Sequence, residues 1–261
     1  MSPRPDEPAR VLDRAVLETE VGRIVDGLAE GGVPIRVLGS LGVSLHCPDS
    51  VSLLSAFERT YADIDFVGYG RDAAAISSFL AALGYVQDRE LWIASEGRRA
   101  VYDHPSSAIH LDVFYDRLEF CHTIPIAGRL ERDRPTLPVA ELALSKLQIF
   151  RINEKDVVDV ILLLLDHDIG DGDADTIDGD RVAALCAGDW GLWRTVTMNL
   201  DKVRAMAAGY PQLDEPKRAR VAAQVTALLD RLDREPKPLA WRARARVGDR
   251  VRWWTEVEDV R

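Results

Sequence analysis

The chain has 261 residues, 47% of them hydrophobic and 29% charged, with a formal net charge of −10. That length allows one large domain or two small ones, and the composition is that of a soluble globular protein able to build an ordinary core, which excludes fibrous and low-complexity classes. Three scattered cysteines, Cys47, Cys121 and Cys186, exclude a disulfide framework or a zinc knuckle and make a reducing cytoplasm the expected location.

The first ten residues, MSPRPDEPAR, contain no apolar stretch, so neither a signal nor a transit peptide is expected. The longest apolar run, 160–165, is far too short to span a membrane, so no membrane partner is expected. Net acidity opposes indiscriminate binding to nucleic acid. The stretch 236–252, however, holds six basic residues and one acid, which leaves room for a local polyanion contact.

Helices and strands alternate in the first half. Residues 12–28 read as a helix stopped by Gly31-Gly32, 35–38 as a short strand, and 41–45 as the start of another helix after Gly39-Ser40. The segment 63–67 alternates acidic and apolar residues as a strand does, and Asp72 is placed to cap an apolar helix ending at Gly84. Residues 86–93, 99–104 and 109–115 read as successive antiparallel strands, with Pro105-Ser106-Ser107 turning between the last two. From Leu137 onward the spacing predicts helices over 138–150, 154–166, 179–186, 190–207 and 216–234. Pro138 and Pro216 stand at helix starts, with Asn153 and Asp178 as N-caps. The expected fold is α+β: a mixed-sheet domain over 1–136, then an α-helical domain over 137–261 with a basic Trp/Arg tail. The charged stretch 127–138 is the expected boundary.

Chemistry concentrates in the first domain. In Asp63-Ile64-Asp65-Phe66 the period of two puts both carboxylates on one strand face. Like charges one pleat apart repel, and Mg²⁺, a hard cation that prefers oxygen ligands, would remove that cost; the bland alternative is two solvated edge-strand aspartates. Val37-Leu38-Gly39-Ser40-Leu41 reads as a strand ending in Gly-Ser at a helix start, where free backbone N–H groups and the helix dipole attract phosphate. Gly39 lets the backbone approach, and Ser40 adds a hydroxyl. In His110-Leu111-Asp112-Val113-Phe114, alternation makes Asp112 a third carboxylate. Phosphate loop, paired carboxylates and one later carboxylate are what two-metal phosphoryl or nucleotidyl transfer requires.

These residues resemble the nucleotidyltransferase superfamily, whose pattern of an apolar residue, Gly, Gly or Ser, a gap and D-x-[DE] is met by Leu38-Gly39-Ser40, 22 residues, and Asp63-Ile64-Asp65-Phe66. The closer likeness is to the AbiEii-type (MenA-like) branch of toxin–antitoxin and phage-defence systems. Residues 38–46 look like that branch's first motif, while Lys146-Leu147 and Lys155-Asp156-Val157-Val158-Asp159 are similar to its later ones. The likeness spans about 32–165; an insertion around 49–60 lengthens the gap before Asp63.

The resemblance implies a nucleotidyltransferase-like fold and transfer of NMP from an NTP to an acceptor hydroxyl. Mg²⁺ would be held by Asp63, Asp65 and Asp112, with Asp112 alternatively taking the hydroxyl proton. The nucleotide would be bound by Gly39, Ser40, Lys146 and Asp156. It further implies RNA or tRNA as acceptor and a cognate antitoxin as partner. The alternatives are a small-molecule acceptor such as an aminoglycoside, or a catalytically silent nucleotide- or antitoxin-binding module.

Periodicity singles out Lys146 independently: Glu141, Ser145 and Gln148 form the polar stripe of helix 138–150, whereas Lys146 has Leu142, Ala143, Ile149 and Phe150 as neighbours. Such a lysine either snorkels to solvent or reaches a triphosphate. Asp159 is expected half-buried, with Lys155 as its structural partner. Gly68-Tyr69-Gly70-Arg71-Asp72-Ala73 mimics a dinucleotide fingerprint, but the acidic strand before it does not suit a Rossmann unit. The seven aspartates of 166–180 fail the EF-hand register at Thr176 and Val182 and read as a solvated loop. His46, His104, His122 and His167 lack metal-ligand spacing and read as structural. Arg98 and Arg99 read as a solvated hairpin edge. In the tail, Trp241, Trp253 and Trp254 interleave with five arginines. This suits base stacking and phosphate contact, or, more simply, a final helix that docks its tryptophans.

Overall fold

The computed structural model of the chain describes residues 13–57, 61, 63–107 and 109–256. The reading of the N-terminal segment, the start of the first helix at Leu12 and the end of the 49–60 insertion lie outside them. In chain order the elements are α1 (Arg14–Glu30), β1 (Ile35–Leu38), α2 (Gly39–His46), α3 (Ser52–Ala56), β2 (Asp63–Gly68), α4 (Ala73–Ala82), β3 (Val86–Gln87), α5 (Arg89–Ala94), β4 (Arg99–Asp103) and β5 (His110–Tyr115). There follow β6 (Arg117–Glu119), β7 (Thr123–Pro125), α6 (Val139–Leu147), α7 (Glu154–Asp166), β8 (Asp168–Gly170), β9 (Thr176–Asp178), α8 (Gly179–Gly188), α9 (Trp190–Gly209), α10 (Glu215–Arg234) and α11 (Leu239–Val247). The fold is α+β with a five-stranded mixed sheet. Among the described residues no helix is long and apolar enough to cross a membrane.

The chain forms two compact units, one comprising Met1–Val37 and Thr60–Asp116, the other Leu38–Arg59 and Arg117–Arg261. This differs from a single break near 127–138. The chain leaves the sheet unit after β1, re-enters it at β2, and leaves it for good at the end of β5. Segments 38–59 and 117–136 therefore belong with the helices.

In the sheet unit the strand order is β1-β2-β5-β4-β3. β2 and β5 are parallel, whereas β4 runs antiparallel to both β5 and β3. Strand alternation sorts the residues cleanly. Ile64, Phe66, Leu111, Val113, Ala100 and Tyr102 share the face that is buried throughout, and a Cβ on Gly68 of that face would sit 2.8 Å from Ile76 of α4. α1 offers Leu17, Val21, Ile24 and Leu28 as its buried stripe. It can lie close to α4 because Gly27 has no side chain: a Cβ there would be 2.4 Å from the Phe79 ring. Glu20, on the same buried side, accepts a 2.7 Å hydrogen bond from Tyr85.

One sequence expectation fails here. Of the stretch read as a strand over 86–93, only Val86–Gln87 is β, and Arg89–Ala94 is a helix. Asp88 accepts a hydrogen bond from the Leu91 N–H and caps it, so a local N-cap overrides the β preference of Leu91-Trp92-Ile93. Asp72 stands at the N-cap of α4 as expected but makes no capping bond with its side chain. Asn153 and Asp178 do cap α7 and α8, at 2.9 Å each.

The helical unit is built around α7, which is buried without interruption from Val157 to Leu165. A helix apolar on all sides needs neighbours all round, and α6, α9 and α10 turn buried stripes inward. The C-terminal carbonyls around α6 are satisfied from α9: Asn199 donates to Leu147 and Ile149 at 2.8 Å each, and Lys202 donates to Ile152 at 2.6 Å.

α9 starts at Asp189, whose Oδ1 accepts the Gly191 N–H at 2.7 Å while Oδ2 lies 3.7 Å from Nδ1 of buried His122. The His122 ring beside it, aided by backbone N–H groups and opposed by burial, holds this carboxyl below the usual aspartate range. A carboxyl depressed in the folded state contributes stability above its unfolded pKa and loses it as pH falls through the folded value. Asp189→Asn, which keeps a capping oxygen but no charge, should therefore lower the melting temperature at pH 7. The difference from the parent chain should close as pH falls through the depressed folded-state value. Thermal denaturation against pH checks this.

Candidate functional site

The second face of the sheet carries the three carboxylates singled out in the sequence. The parallel register sets Asp63 beside His110 and Asp65 beside Asp112, so all three carboxylates and His110 occupy one face of adjacent strands. Asp63 is exposed, Asp65 half-buried and Asp112 buried. The antiparallel register of β4 adds Arg99 and Asp103 to that face.

Arg99 closes on Asp112 with two arms, Nε to Oδ1 at 2.6 Å and Nη2 to Oδ2 at 2.5 Å. The bond to Asp112 is the main reason its guanidinium is held above its ordinary range; burial opposes this, and the charges of Asp112, Asp65 and Asp63 add to it. His110 Nδ1 and Asp103 Oδ1 pair at 2.8 Å at the exposed end. Arg99 is thus a site residue that the sequence reading left at a solvated edge. Its shared strand face with Asp112, two residues off register across a hairpin, was the signal available.

Asp63, Asp65 and Asp112 outnumber the one guanidinium of Arg99, and Asp103 pairs with His110 at the exposed end. Oxygen donors with excess negative charge fit a hard cation such as Mg²⁺. Asp63 and Asp65 are placed to hold it. Asp112 already receives Arg99 on both oxygens, yet a carboxylate has about four lone-pair positions, so Arg99 leaves part of its accepting capacity unused.

Gly39 is the first residue of α2 and has φ of +69°, a conformation that glycine adopts at little cost and other residues rarely do. No side chain caps this helix start, so the first-turn N–H groups are not taken by a capping side chain. Ser40 follows, half-buried.

Lys146 neither snorkels nor presents a spare charge. Its Nζ lies 2.6 Å from Asp156 Oδ1 and 3.0 Å from Asp159 Oδ2. Burial alone would lower the pKa of the ammonium, but Asp159 and Asp156 outweigh it and hold it above the lysine range. The group carries a net charge of −1, which disfavours a triphosphate. The structure therefore brings Lys146 and Asp156 together as an ion pair. Asp159 takes Lys146 instead of the expected Lys155, because α6 lies against the N-terminal turn of α7.

The expected polar stripe of α6 is also buried. Glu141 has no exposed surface and accepts from Arg129 at 2.7 and 2.8 Å and from Arg181 at 3.0 Å.

The aspartate-rich stretch is solvated at Asp168, Asp171, Asp175 and Asp180, as expected, but most of its carboxylates also have partners. Asp166 accepts the backbone N–H groups of Asp49 and Ser50 at 3.1 Å each. Asp168 pairs with Arg220, Asp173 with Arg129, and both Asp171 and Asp180 with Arg231.

In the tail, the simpler expectation holds. Trp241 donates to the Cys186 carbonyl at 3.0 Å, Trp253 to Thr195 Oγ1 at 3.1 Å, and Trp254 stacks on Phe150 at 3.6 Å. Arg244 covers Trp190 and donates to the Gly248 and Val251 carbonyls. Arg246 and Arg250 are exposed.

The sequence matches no family model and no curated protein. The family resemblance accordingly rests on its motifs.

Replacing Lys146 by Met should destabilise the helical unit by about 3 kcal/mol, because the buried Asp159 and the half-buried Asp156 both lose the ammonium that faces them. Lys146→Met combined with Asp159→Leu should recover most of the loss. Urea unfolding of the two variants checks both figures.

Proposed function

We propose that the protein is a Mg²⁺-dependent nucleotidyltransferase of the AbiEii type that moves NMP from an NTP to an acceptor hydroxyl. The observation that carries this reading is the β2–β5 register, which sets Asp65 against Asp112 with Asp63 on the same face. Bound Mg²⁺ would supply charge neutralisation for the triphosphate and the departing pyrophosphate.

The chain's own residues do the rest. Asp63 and Asp65 hold the cation, the exposed Asp63 being the more accessible. Asp112 completes that set or accepts the proton of the attacking hydroxyl, which bonds to the α-phosphorus as the bond to the pyrophosphate oxygen breaks. Arg99 acts as a positioning residue that fixes the plane of the Asp112 carboxylate. The turn at Gly39 and Ser40 offers backbone N–H groups and a hydroxyl to phosphate.

On this reading Lys146 and Asp156 support the helical unit and do not contact the triphosphate. Asp63→Asn together with Asp65→Asn should reduce Mg²⁺-dependent pyrophosphate release by at least about a thousandfold, the scale of losing a Lewis-acid site. The melting temperature should stay equal or rise, since two repelling carboxylates are neutralised. Retained turnover in the double variant would end the two-metal reading.

For the acceptor we favour RNA, in keeping with the toxin-like resemblance, with a cognate antitoxin as the corresponding protein partner. The docked tryptophans remove base stacking from the tail's part in this, leaving its exposed arginines for phosphate contact. If Arg246 and Arg250 each meet one phosphate, RNA affinity should fall with salt at a log–log slope of about −1.5. Arg246→Gln with Arg250→Gln should flatten the slope and slow labelling of RNA without changing NTP binding. The docked tryptophans and the net charge of −10 instead favour a small-molecule acceptor, which predicts full activity in that variant and no label in RNA.

A further inference from the structure

Two histidines far apart in sequence meet in the helical unit. His46 ends α2, and His167 is the C-cap of α7. Their rings pack edge to face with centroids 5.6 Å apart. One ring nitrogen of His46, one of His167 and a carboxylate oxygen of Asp175 all lie within 4.8 Å of one another. Asp133 Oδ2 lies 3.0 Å from His46 Nε2.

The hydrogen bonding of His167 defines what this cluster lacks. The ring is 2% exposed. Its Nε2 lies 2.9 Å from the His46 carbonyl oxygen, an acceptor only, so Nε2 carries a proton and donates. In a neutral imidazole Nδ1 then presents a lone pair. That lone pair faces Asp175 Oδ1 at 3.1 Å and the Asp175 carbonyl oxygen at 3.2 Å, both of them acceptors. Two acceptors at that distance require a proton or a cation between them. His46 Nε2 shows the same need: it is shut off from solvent and completes no hydrogen bond among the described residues, although Asp133 stands beside it.

The surroundings favour the cation. A histidine that binds a metal through one nitrogen almost always donates its other N–H to a carbonyl or carboxylate, as His167 does to His46. The two histidines sit at the C-terminal ends of helices, where the dipole is negative. Two imidazoles and two carboxylates suit a borderline first-row ion better than Mg²⁺ or Ca²⁺ and give a neutral site with a divalent cation. At Zn–ligand bonds of about 2.0 to 2.1 Å, tetrahedral donors are separated by about 3.3 Å. The 3.0 and 3.1 Å pairs here are close to that edge length.

The supports are already in place. Asp166 grips the backbone after α2 at Asp49 and Ser50, and Arg129 holds Asp173 two residues before the exposed Asp175. Asp175 itself has φ of +56°.

We infer that His46, His167 and Asp175, with Asp133 as fourth donor, form a Zn²⁺ site that clamps the C-terminal ends of α2 and α7 to the loop before β9. The site is independent of the carboxylate face, and its metal is chemically distinct from the Mg²⁺ proposed there.

The test uses the full chain without a histidine tag, stripped with a chelator and held in millimolar Mg²⁺. Titration with Zn²⁺ against a chromophoric chelator should show one equivalent bound with a Kd below about 1 µM, and a melting temperature that rises with Zn²⁺. Co²⁺ in place of Zn²⁺ should give the visible absorption of a four-coordinate nitrogen–oxygen site. Asp175→Ala, at an exposed position, should weaken Zn²⁺ binding at least about tenfold, and His46→Gln should weaken it further. Asp63→Asn with Asp65→Asn should leave Zn²⁺ affinity unchanged, which separates failure of this site from failure of the nucleotidyltransferase reading. No stoichiometric binding by the folded chain would overturn the inference and leave a proton between His167 and Asp175. Affinity unmoved by both Asp175→Ala and His46→Gln would equally overturn it, as would a Co²⁺ spectrum matching the aqueous ion.

Discussion

Three carboxylates on one face of adjacent strands repel one another, and a folded sheet that presents them must offset that repulsion from within or from a ligand. Arg99 supplies the internal part. Its two-armed bond to Asp112 takes up the most buried of the three charges. Asp65 and Asp63 are progressively more exposed. The rest of the sheet follows from serving this arrangement. The opposite face is apolar along β2 and β5 and meets Ile76 of α4 at Gly68, and the parallel β2–β5 pair aligns Asp65 with Asp112 without help from either side chain.

The helical unit solves the same problem the opposite way, by complete internal pairing. Glu141 lies inside the unit between Arg129 and Arg181, and Lys146 lies between Asp156 and Asp159. Buried ion pairs add little net stability compared with apolar packing, but breaking one is costly because the surviving charge has no solvent. Such pairs fix which helix faces which: α6 can meet α7 in only one rotation without stranding a charge. They also give Lys146 two carboxylate partners in place of solvent.

α2 carries chemistry at both ends. Its first residue, Gly39, opens an uncapped helix start, and its last, His46, enters the cluster with His167 and Asp175. A helix of only eight residues has little intrinsic stability, so its position depends on what holds its ends. A cation at the C-terminal end would fix the orientation of the Gly39–Ser40 turn through the helix itself.

Most of the secondary structure was legible in the sequence because periodicity is local. Alternation in 63–67 and 109–115 put Asp63, Asp65 and Asp112 on their strand faces, and Asn153 and Asp178 marked helix starts that the structure contains. Local patterns misled where a competing local bond was stronger, as when the Asp88 cap turned Leu91-Trp92-Ile93 into a helix. What the sequence by itself determined was therefore the α+β composition of the chain and the face on which each site carboxylate stands. Only the tertiary structure decided the partner of each charge: Arg99 for Asp112, α7 aspartates for Lys146, arginines for the aspartate-rich stretch, and the meeting of His46 with His167 across 121 positions. The reason is physical. Side-chain direction follows from backbone period within a few residues, whereas charge compensation depends on which distant segment packs alongside, and no spacing in the chain encodes that distance.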